Sequence, residues 1–169
     1  MKYPPALQEL IDEFSFIDDK MEILEYVYEL SEEVVEFPIA NWSEKTRIIG
    51  CQSEAHLEVV VKDGIVELRC GADSKIVQGM MGLVTIAING RTAEDVLKLK
   101  PDFAQEMGIL NSLSPSRSNG CRHLLDKVMS EIRTQQRGVI MRAIHVVLAQ
   151  LDSVLDPQMQ IAIVRIGRV

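Results

Sequence analysis

A cysteine between a glycine and two small polar residues, in the segment Gly50-Cys51-Gln52-Ser53, is the feature of this sequence best suited to chemistry. Gly50 permits positive φ angles and close approach of the backbone to another surface, which predicts that Cys51 lies on a short turn. The thiolate form of a cysteine is a nucleophile, so a thiol on a turn can attack a partner. A buried, inert thiol is the alternative, because free cysteines are among the most buried residues.

The three cysteines also suggest a second kind of chemistry, a zinc- or cluster-binding scaffold. Cys51, Cys70 and Cys121 would supply the soft ligands, with His123 as a fourth. No pair has the Cys-x-x-Cys spacing, and Cys121 and His123 are two apart on a predicted helix, where side chains point apart. An odd number of cysteines at irregular spacing also argues against a disulfide framework. The spacing therefore favours a reactive Cys51 over a scaffold.

Length and composition indicate one globular domain that does not bind nucleic acids. A chain of 169 residues can build a single substantial core, and 47% of its residues are hydrophobic. The net charge of −7 is opposite in sign to that needed to neutralise phosphates. No apolar segment reaches the length of a membrane span, and the first residues lack the basic and apolar regions of a signal peptide. We therefore expect a cytoplasmic protein.

The periodicity of the apolar residues predicts an α+β fold that positions the Cys51 turn. Residues 55–62 alternate in polarity, Asp63-Gly64 favours a hairpin turn, and residues 65–70 return as the partner strand. A short strand at residues 47–49 would bring the small antiparallel sheet to about three strands. Several helices are expected to pack against it, at residues 6–14, 20–35, 75–88, 92–99, 101–107 and 115–136.

Three local features of these elements concern the Cys51 turn. Gly79 and Gly82 interrupt the apolar helix 75–88, which predicts that the sheet or the Cys51 turn packs closely there. Arg117 lies in the first turn of a helix, where a cation opposes the helix dipole, so some other group must favour it. Four apolar side chains are expected to shelter the thiol: Ile48, Ile49, Met80 and Met81.

The C-terminal residues form an addition to this core. Residues 139–155 have the apolar spacing of a helix, Asp156-Pro157 ends it, and residues 159–166 alternate like a strand. An addition this apolar is expected to cover the core, pair with a sheet edge or form an oligomer contact. The sequence thus predicts a main domain at residues 1–136 and a helix-plus-strand extension at residues 137–169.

Three segments, in order along the chain, resemble the SufE family of sulfur-acceptor proteins. Gly50-Cys51-Gln52-Ser53 is similar to the family's Gly-Cys-Gln-Ser motif. Residues 72–79, Ala-Asp-Ser-Lys-Ile-Val-Gln-Gly, resemble its Asp-Ser-x-x-Ile-Val-x-Gly segment. Residues 113–120, Leu-Ser-Pro-Ser-Arg-Ser-Asn-Gly, resemble its Leu-Ser/Thr-Pro-Ser-Arg-Ser/Thr-x-Gly segment. The resemblance extends from about Leu7 to Thr134 and stops before the C-terminal addition.

The resemblance implies a SufE/IscU-like fold and a role as a sulfur carrier in iron–sulfur cluster assembly. Members of the family accept persulfide sulfur from a cysteine desulfurase, a pyridoxal-phosphate enzyme, and stimulate its turnover. Cys51 would carry the sulfur, and five residues would support it or contact the partner: Gly50, Gln52, Ser53, Asp73 and Arg117. The acceptor requires no metal or other cofactor. The implied partners are a SufS-like desulfurase and a SufBCD-like scaffold, and a homodimer is compatible with the apolar addition.

Overall fold

The computed structural model describes residues 2–154, with side chains as far as Gln150, and confirms the α+β class. Strands β1 (Ala55–Lys62) and β2 (Ile65–Ala72) form a hairpin, and Asp63 and Gly64 in its turn both have positive φ angles. The described residues form the α-helices α1 Pro5–Phe14, α2 Lys20–Glu29, α3 Lys75–Ile88, α4 Ala93–Lys98, α5 Phe103–Glu106, α6 Ile109–Ser112 and α7 Pro115–Val154. The chain divides into two compact units, Met1–Arg133 and Thr134–Val169.

The sheet has two strands within the described residues, rather than about three. Its antiparallel register pairs Ala55 with Ala72 and Lys62 with Ile65. The expected third strand is reduced to a single bridge between Arg47 and His56. The hairpin still forms part of the core of the first unit, because one side of it is buried. The buried apolar side chains of the two strands include Leu57, Val59, Val66, Leu68 and Cys70.

Helix α3 is buried over most of its length, and two glycines allow another segment to approach its backbone. A Cβ atom at Gly79 would lie 1.8 Å from the carbonyl oxygen of Val27, and one at Gly82 would lie 1.7 Å from that of Leu30. Val27 belongs to α2, and Leu30 begins the 3₁₀ turn Leu30–Glu33 that follows it. The close packing predicted at these glycines is present, but its partner is α2 and this turn, not the sheet or the Cys51 turn.

Helix α7 continues through Arg137-Gly138, where the sequence predicted an end near Gln136 and a new helix from Val139. A glycine in a helix interior costs only about 1 kcal/mol relative to alanine, and no proline removes a hydrogen-bond donor there. One glycine among good helix formers is therefore not enough to end the helix. The strand predicted at residues 159–166 lies outside the described residues.

The described part of the second unit is helical and exposes apolar side chains. Seven large ones have exposed fractions between 44% and 57%: Val139, Ile140, Met141, Ile144, Val146, Val147 and Leu148. No helix in the described part of the chain is both long enough and apolar enough to cross a lipid bilayer.

Candidate functional site

Cys51 lies on a turn whose two ends are held together. The N–H of Ile48 donates a hydrogen bond of 2.8 Å to the carbonyl oxygen of Ala55. Beside it, Nη2 of Arg47 lies 3.4 Å from Oε2 of Glu54. These contacts close the base of the turn, and the segment 49–53 projects beyond them.

A buried histidine reinforces this base. His56 is 3% exposed; its Nε2 lies 2.8 Å from Oε1 of Glu54, and its Nδ1 lies 2.9 Å from Oγ1 of Thr46. The ring of Trp42 stacks on the imidazole at 4.5 Å between centroids. The hydrogen bond from His56, and then the attraction of Arg47, hold the pKa of the Glu54 carboxyl below its usual value. The network makes the base of the turn a fixed platform for the thiol.

The projecting part of the turn lies against the beginning of α7. Oγ of Ser116 donates a hydrogen bond of 3.3 Å to Oε1 of Gln52. One turn of helix further on, a Cβ atom at Gly120 would lie 3.0 Å from Sγ of Cys51. The absence of a side chain at Gly120 thus provides the space that the thiol occupies.

A third contact joins Gly50 to His123, three residues beyond Gly120 on α7. Gly50 has a φ angle of 88°, in the region that favours glycine. A Cβ atom at Gly50 would lie 2.3 Å from Nδ1 and 2.4 Å from Cε1 of His123. Any residue other than glycine would therefore be strained here and would also collide with the imidazole.

A small pocket of about 40 Å³ lies beside the Cys51 thiol. Its lining includes Val77 and Met80 of α3, and Ser53 and Arg117 on the more polar side. A water molecule occupies about 30 Å³ of the liquid, so the pocket can hold one additional small atom or group next to the sulfur.

The apolar residues expected to shelter the thiol have different positions. Met80 lines the pocket, and Ile48 is buried in the core without lining it. Ile49 points outward and is 82% exposed, so it does not cover the thiol. Met81 is buried in the core and does not line the pocket. Of the four residues expected to shelter the thiol, Met80 alone lines the pocket beside it.

Of the three cysteines, only Cys51 is not fully buried. Burial raises the pKa of its thiol above the usual value. Burial also raises the pKa of Cys70 far above the usual range. For Cys121 it raises the pKa to about 11, with Arg122 opposing the shift and Cys51 adding to it. Cys51 is thus a half-buried thiol whose pKa is raised by burial.

We expect alkylation of Cys51 by iodoacetamide to be slower in the folded protein than in the unfolded chain at neutral pH. Its rate should rise with pH and level off only above about 8.5, the usual pKa of cysteine, because the raised pKa reduces the thiolate fraction. Mass spectrometry of peptides after timed labelling gives the profile for each cysteine. A rate that levels off below pH 8.5 would contradict this assignment and indicate a cation acting on the thiolate.

The structure brings one of the two more distant candidate residues to the turn. Arg117 lines the pocket beside Cys51 and is exposed. Asp73 is also exposed but does not line the pocket; its N–H donates a hydrogen bond of 3.0 Å to the carbonyl oxygen of Glu54. Ser74 precedes α3 as its N-cap and makes no side-chain capping bond.

The cysteines are not arranged as a set of metal ligands. Cys70 on β2 and Cys121 on α7 are each 1% exposed within the core. Among the residues that the structure describes, no three His, Cys, Asp or Glu side chains are grouped so that they could hold a metal ion. This arrangement does not favour the zinc- or cluster-binding scaffold.

Two residues of the site were not identified as such from the sequence. Gly120 lies in the third segment that resembles the SufE family, but its sequence context predicts no role for it, and the residue type of His123 suggests only a metal ligand. The available signal was the spacing of Ser116, Gly120 and His123, which places two small residues and a ring on one face of a helix.

An α+β domain with a single incompletely buried thiol on a glycine-flanked turn matches a known class of proteins. The family model described as "Fe-S metabolism associated domain" matches residues 8–132. The chain belongs to the SufE family, and its family domain is associated with iron–sulfur metabolism.

Relatives from bacteria and plants agree with this family. The chain is 26% identical to an uncharacterized SufE-like protein of Rhizobium meliloti, over 75% of this chain and 94% of the relative. It is 27% identical to a SufE-like protein of Synechocystis, over 80% and 85%. It is 26% identical to SufE-like protein 1, chloroplastic/mitochondrial, of Arabidopsis thaliana, over 72% of this chain and 33% of that longer protein.

A solved structure has the same fold. The solution structure of a hypothetical protein from Thermus thermophilus superposes with a TM-score of 0.66 at 22% identity. The match covers 78% of this chain and 96% of the other.

Proposed function

We propose that the protein is a sulfur acceptor and carrier in iron–sulfur cluster assembly, and that Sγ of Cys51 accepts the sulfur. The Cys51 thiolate attacks the terminal sulfur of a persulfide on a cysteine desulfurase. A new S–S bond forms at Sγ of Cys51, the S–S bond of the donor breaks, and the donor cysteine leaves as a thiolate. The same exchange, with Cys51 as donor, passes the sulfur on. No oxidant or reductant is consumed in either step.

The observation that carries this proposal is the placement of Cys51. It is the one thiol of the chain that is not fully buried, and it lies on a projecting turn with a closed base. The pocket beside it has room for one more atom, which supports the shelter of a persulfide sulfur from water and oxidants. Sulfur transfer needs a thiol that is protected from water and oxidants but can also reach a partner. The pocket suits the first requirement, and the projecting turn suits the second.

Five residues would support Cys51 or contact the partner. Gly50 gives the turn its positive φ angle, Gln52 holds it to α7, and Ser53 lines the pocket. Arg117, exposed at the edge of the pocket, would bind an acidic group of the desulfurase or the persulfide anion when the turn moves. Asp73 would contact the partner beside the end of the turn.

The partners we propose are a SufS-like desulfurase, whose turnover the protein would stimulate, and a SufBCD-like scaffold that receives the sulfur. We further propose that the protein acts in the cytoplasm.

The test is mass spectrometry after incubation with a desulfurase and cysteine. We expect a mass gain of one sulfur atom on the peptide that contains Cys51, removed by a reducing agent. Faster release of alanine by the desulfurase should accompany it. Modification of another cysteine, or no modification while the desulfurase itself is persulfidated, would contradict the proposal.

We also propose that the exposed face of α7 between Val139 and Leu148 pairs with the same face of a second copy. Of its seven half-exposed apolar side chains, five share one side of the helix, whereas Val139 and Val146 lie on another. The five are Ile140, Met141, Ile144, Val147 and Leu148. Ile140, Ile144 and Val147 follow the alternating four- and three-residue spacing of a helix-pairing seam.

Sedimentation of the full-length protein should therefore give a dimer at micromolar concentration. Ile144→Glu places a charge in the seam and should give a monomer, whereas Arg142→Glu, on the opposite side of the helix, should not. Sulfur acceptance should be unchanged in both variants, because Cys51 lies in the first unit. A wild-type monomer would contradict the pairing and leave the remaining C-terminal residues or another protein to cover the face.

A further inference from the structure

The three contacts between the Cys51 turn and α7 have a regular register. Gln52, Cys51 and Gly50 meet Ser116, Gly120 and His123 in turn, and these three lie at positions i, i+4 and i+7 of the helix. Residues with this spacing share one face of an α-helix. The turn thus packs along one face of α7.

The three contacts differ in how strongly they can fix the turn against α7. The hydrogen bond between Gln52 and Ser116 is long and joins groups at the surface, where water competes with it. Gly120 contributes only space for the sulfur. His123 places ring atoms directly against the backbone of Gly50, and it is the bulkiest of the three groups.

The position of His123 also indicates a role in the turn rather than in the core. Its side chain is exposed, unlike the neighbouring Cys121 and Leu124, which are buried in the core. Because the base of the turn is tied between Ile48 and Ala55, motion of the thiol must occur within residues 49–53. Gly50, with its unrestricted backbone, is the natural pivot of that motion.

We propose that His123 is a positioning residue: its imidazole clamps Gly50 and thereby keeps the Cys51 thiol in its withdrawn position against Gly120. Delivery of the thiol to a partner requires this contact to break. The inference deepens the proposed function, on which its biological meaning rests, but the clamp itself is a property of the isolated protein.

The test is the rate at which iodoacetamide labels Cys51 in the full-length protein, with no desulfurase present. Removal of the ring in His123→Ala should raise this rate by about 5- to 30-fold, the change that follows when one or two kcal/mol of a closed state are lost. His123→Phe retains a ring and should label at close to the wild-type rate. Arg122→Ala is the matched control, because Arg122 is the adjacent exposed position and does not line the pocket beside Cys51.

Amide hydrogen exchange provides a second measurement of how readily the turn opens in the same variants. Amides of residues 50–53 should exchange faster in His123→Ala, while those of β1 and α3 should keep their protection. Thermal unfolding shows whether each variant is folded, and His123→Ser serves as a second ring deletion if the alanine variant is not.

The clamp would be overturned if His123→Ala and His123→Ser showed the same labelling rate of Cys51 and the same exchange rates of residues 50–53 as the wild-type protein. An equal increase in Arg122→Ala would do so too, because it would show a general loosening of α7. Fast labelling in His123→Phe would indicate that the imidazole acts through its nitrogens and not through packing. If the ring deletions label fast but the wild-type protein accepts no sulfur from a desulfurase, the clamp is supported and the proposed function fails. If the wild-type protein accepts sulfur but the ring deletions label at the wild-type rate, the proposed function is supported and the clamp fails.

Discussion

Serine at position 51 should leave a folded protein that accepts no sulfur. The change replaces one atom at a half-buried position on a turn, so the fold should be unaffected. The hydroxyl is not ionised near neutral pH and cannot form a persulfide, so the loss should be complete. Incubation with a desulfurase and cysteine, followed by mass spectrometry, measures it; desulfurase turnover should fall to its rate without an acceptor.

Cys121→Ala is the closest control for this experiment. Cys121 directly follows Gly120, which the Cys51 thiol contacts, and its pKa is affected by Cys51, so it is the neighbouring thiol best placed to substitute for it. Because Cys121 is buried and its pKa is about 11, we expect sulfur acceptance to persist in this variant and in Cys70→Ala. Loss of acceptance in folded Cys121→Ala would show that the two thiols act together.

Alanine at Gly82 should lower the free energy of unfolding by about 3 kcal/mol or prevent folding altogether. The new Cβ atom would lie 1.7 Å from the carbonyl oxygen of Leu30, a separation that no relaxed structure tolerates. Helix α3 cannot retreat, because its other faces are buried, and the better helix propensity of alanine recovers only about 1 kcal/mol. Urea unfolding measures the loss, and Gly79→Ala should behave in the same way.

Gly138→Ala is the matched control, since it makes the same change inside another helix. The Cβ atom there would be 3.8 Å from Nη1 of Arg142, an ordinary contact. The expected effect is neutral or stabilising by about 0.5–1 kcal/mol, from helix propensity alone. Equal effects at Gly82 and Gly138 would show that α3 and the turn Leu30–Glu33 are not in close contact in solution.

The elements with strong local signals could be predicted from the sequence almost to the residue. Strand β1 and helix α3 have the predicted bounds, and the turn at Asp63-Gly64 has the positive φ angles that its residue types favour. In each case the spacing of apolar residues and the turn or cap residues indicate the same element. The sequence predicts two helices where α7 is continuous, because a glycine indicates a helix end although it costs a helix interior only about 1 kcal/mol.

Contacts between distant segments could not be predicted in the same way. Two glycines in a helix indicate that something comes close, but not which segment does so, and here α2 and not the sheet fills the space. Likewise, nothing near Gly50 in the sequence identifies His123 as its neighbour. The thiol itself was predicted correctly as a residue on a turn, since that depends only on its adjacent residues.

The closed base of the turn limits how far the sulfur can travel. Ile48 is tied to Ala55, so Cys51 is only three residues from one fixed point and four from the other. An extended chain spans at most about 3.3–3.6 Å per residue, which gives the thiol a range of roughly 10 Å from Ile48. A donor sulfur buried deeper than this in a cleft would be out of range, however tightly the two proteins bind. The exchange must then take place near the rim of the partner's cleft, or the partner must extend its own persulfide for the rest of the distance.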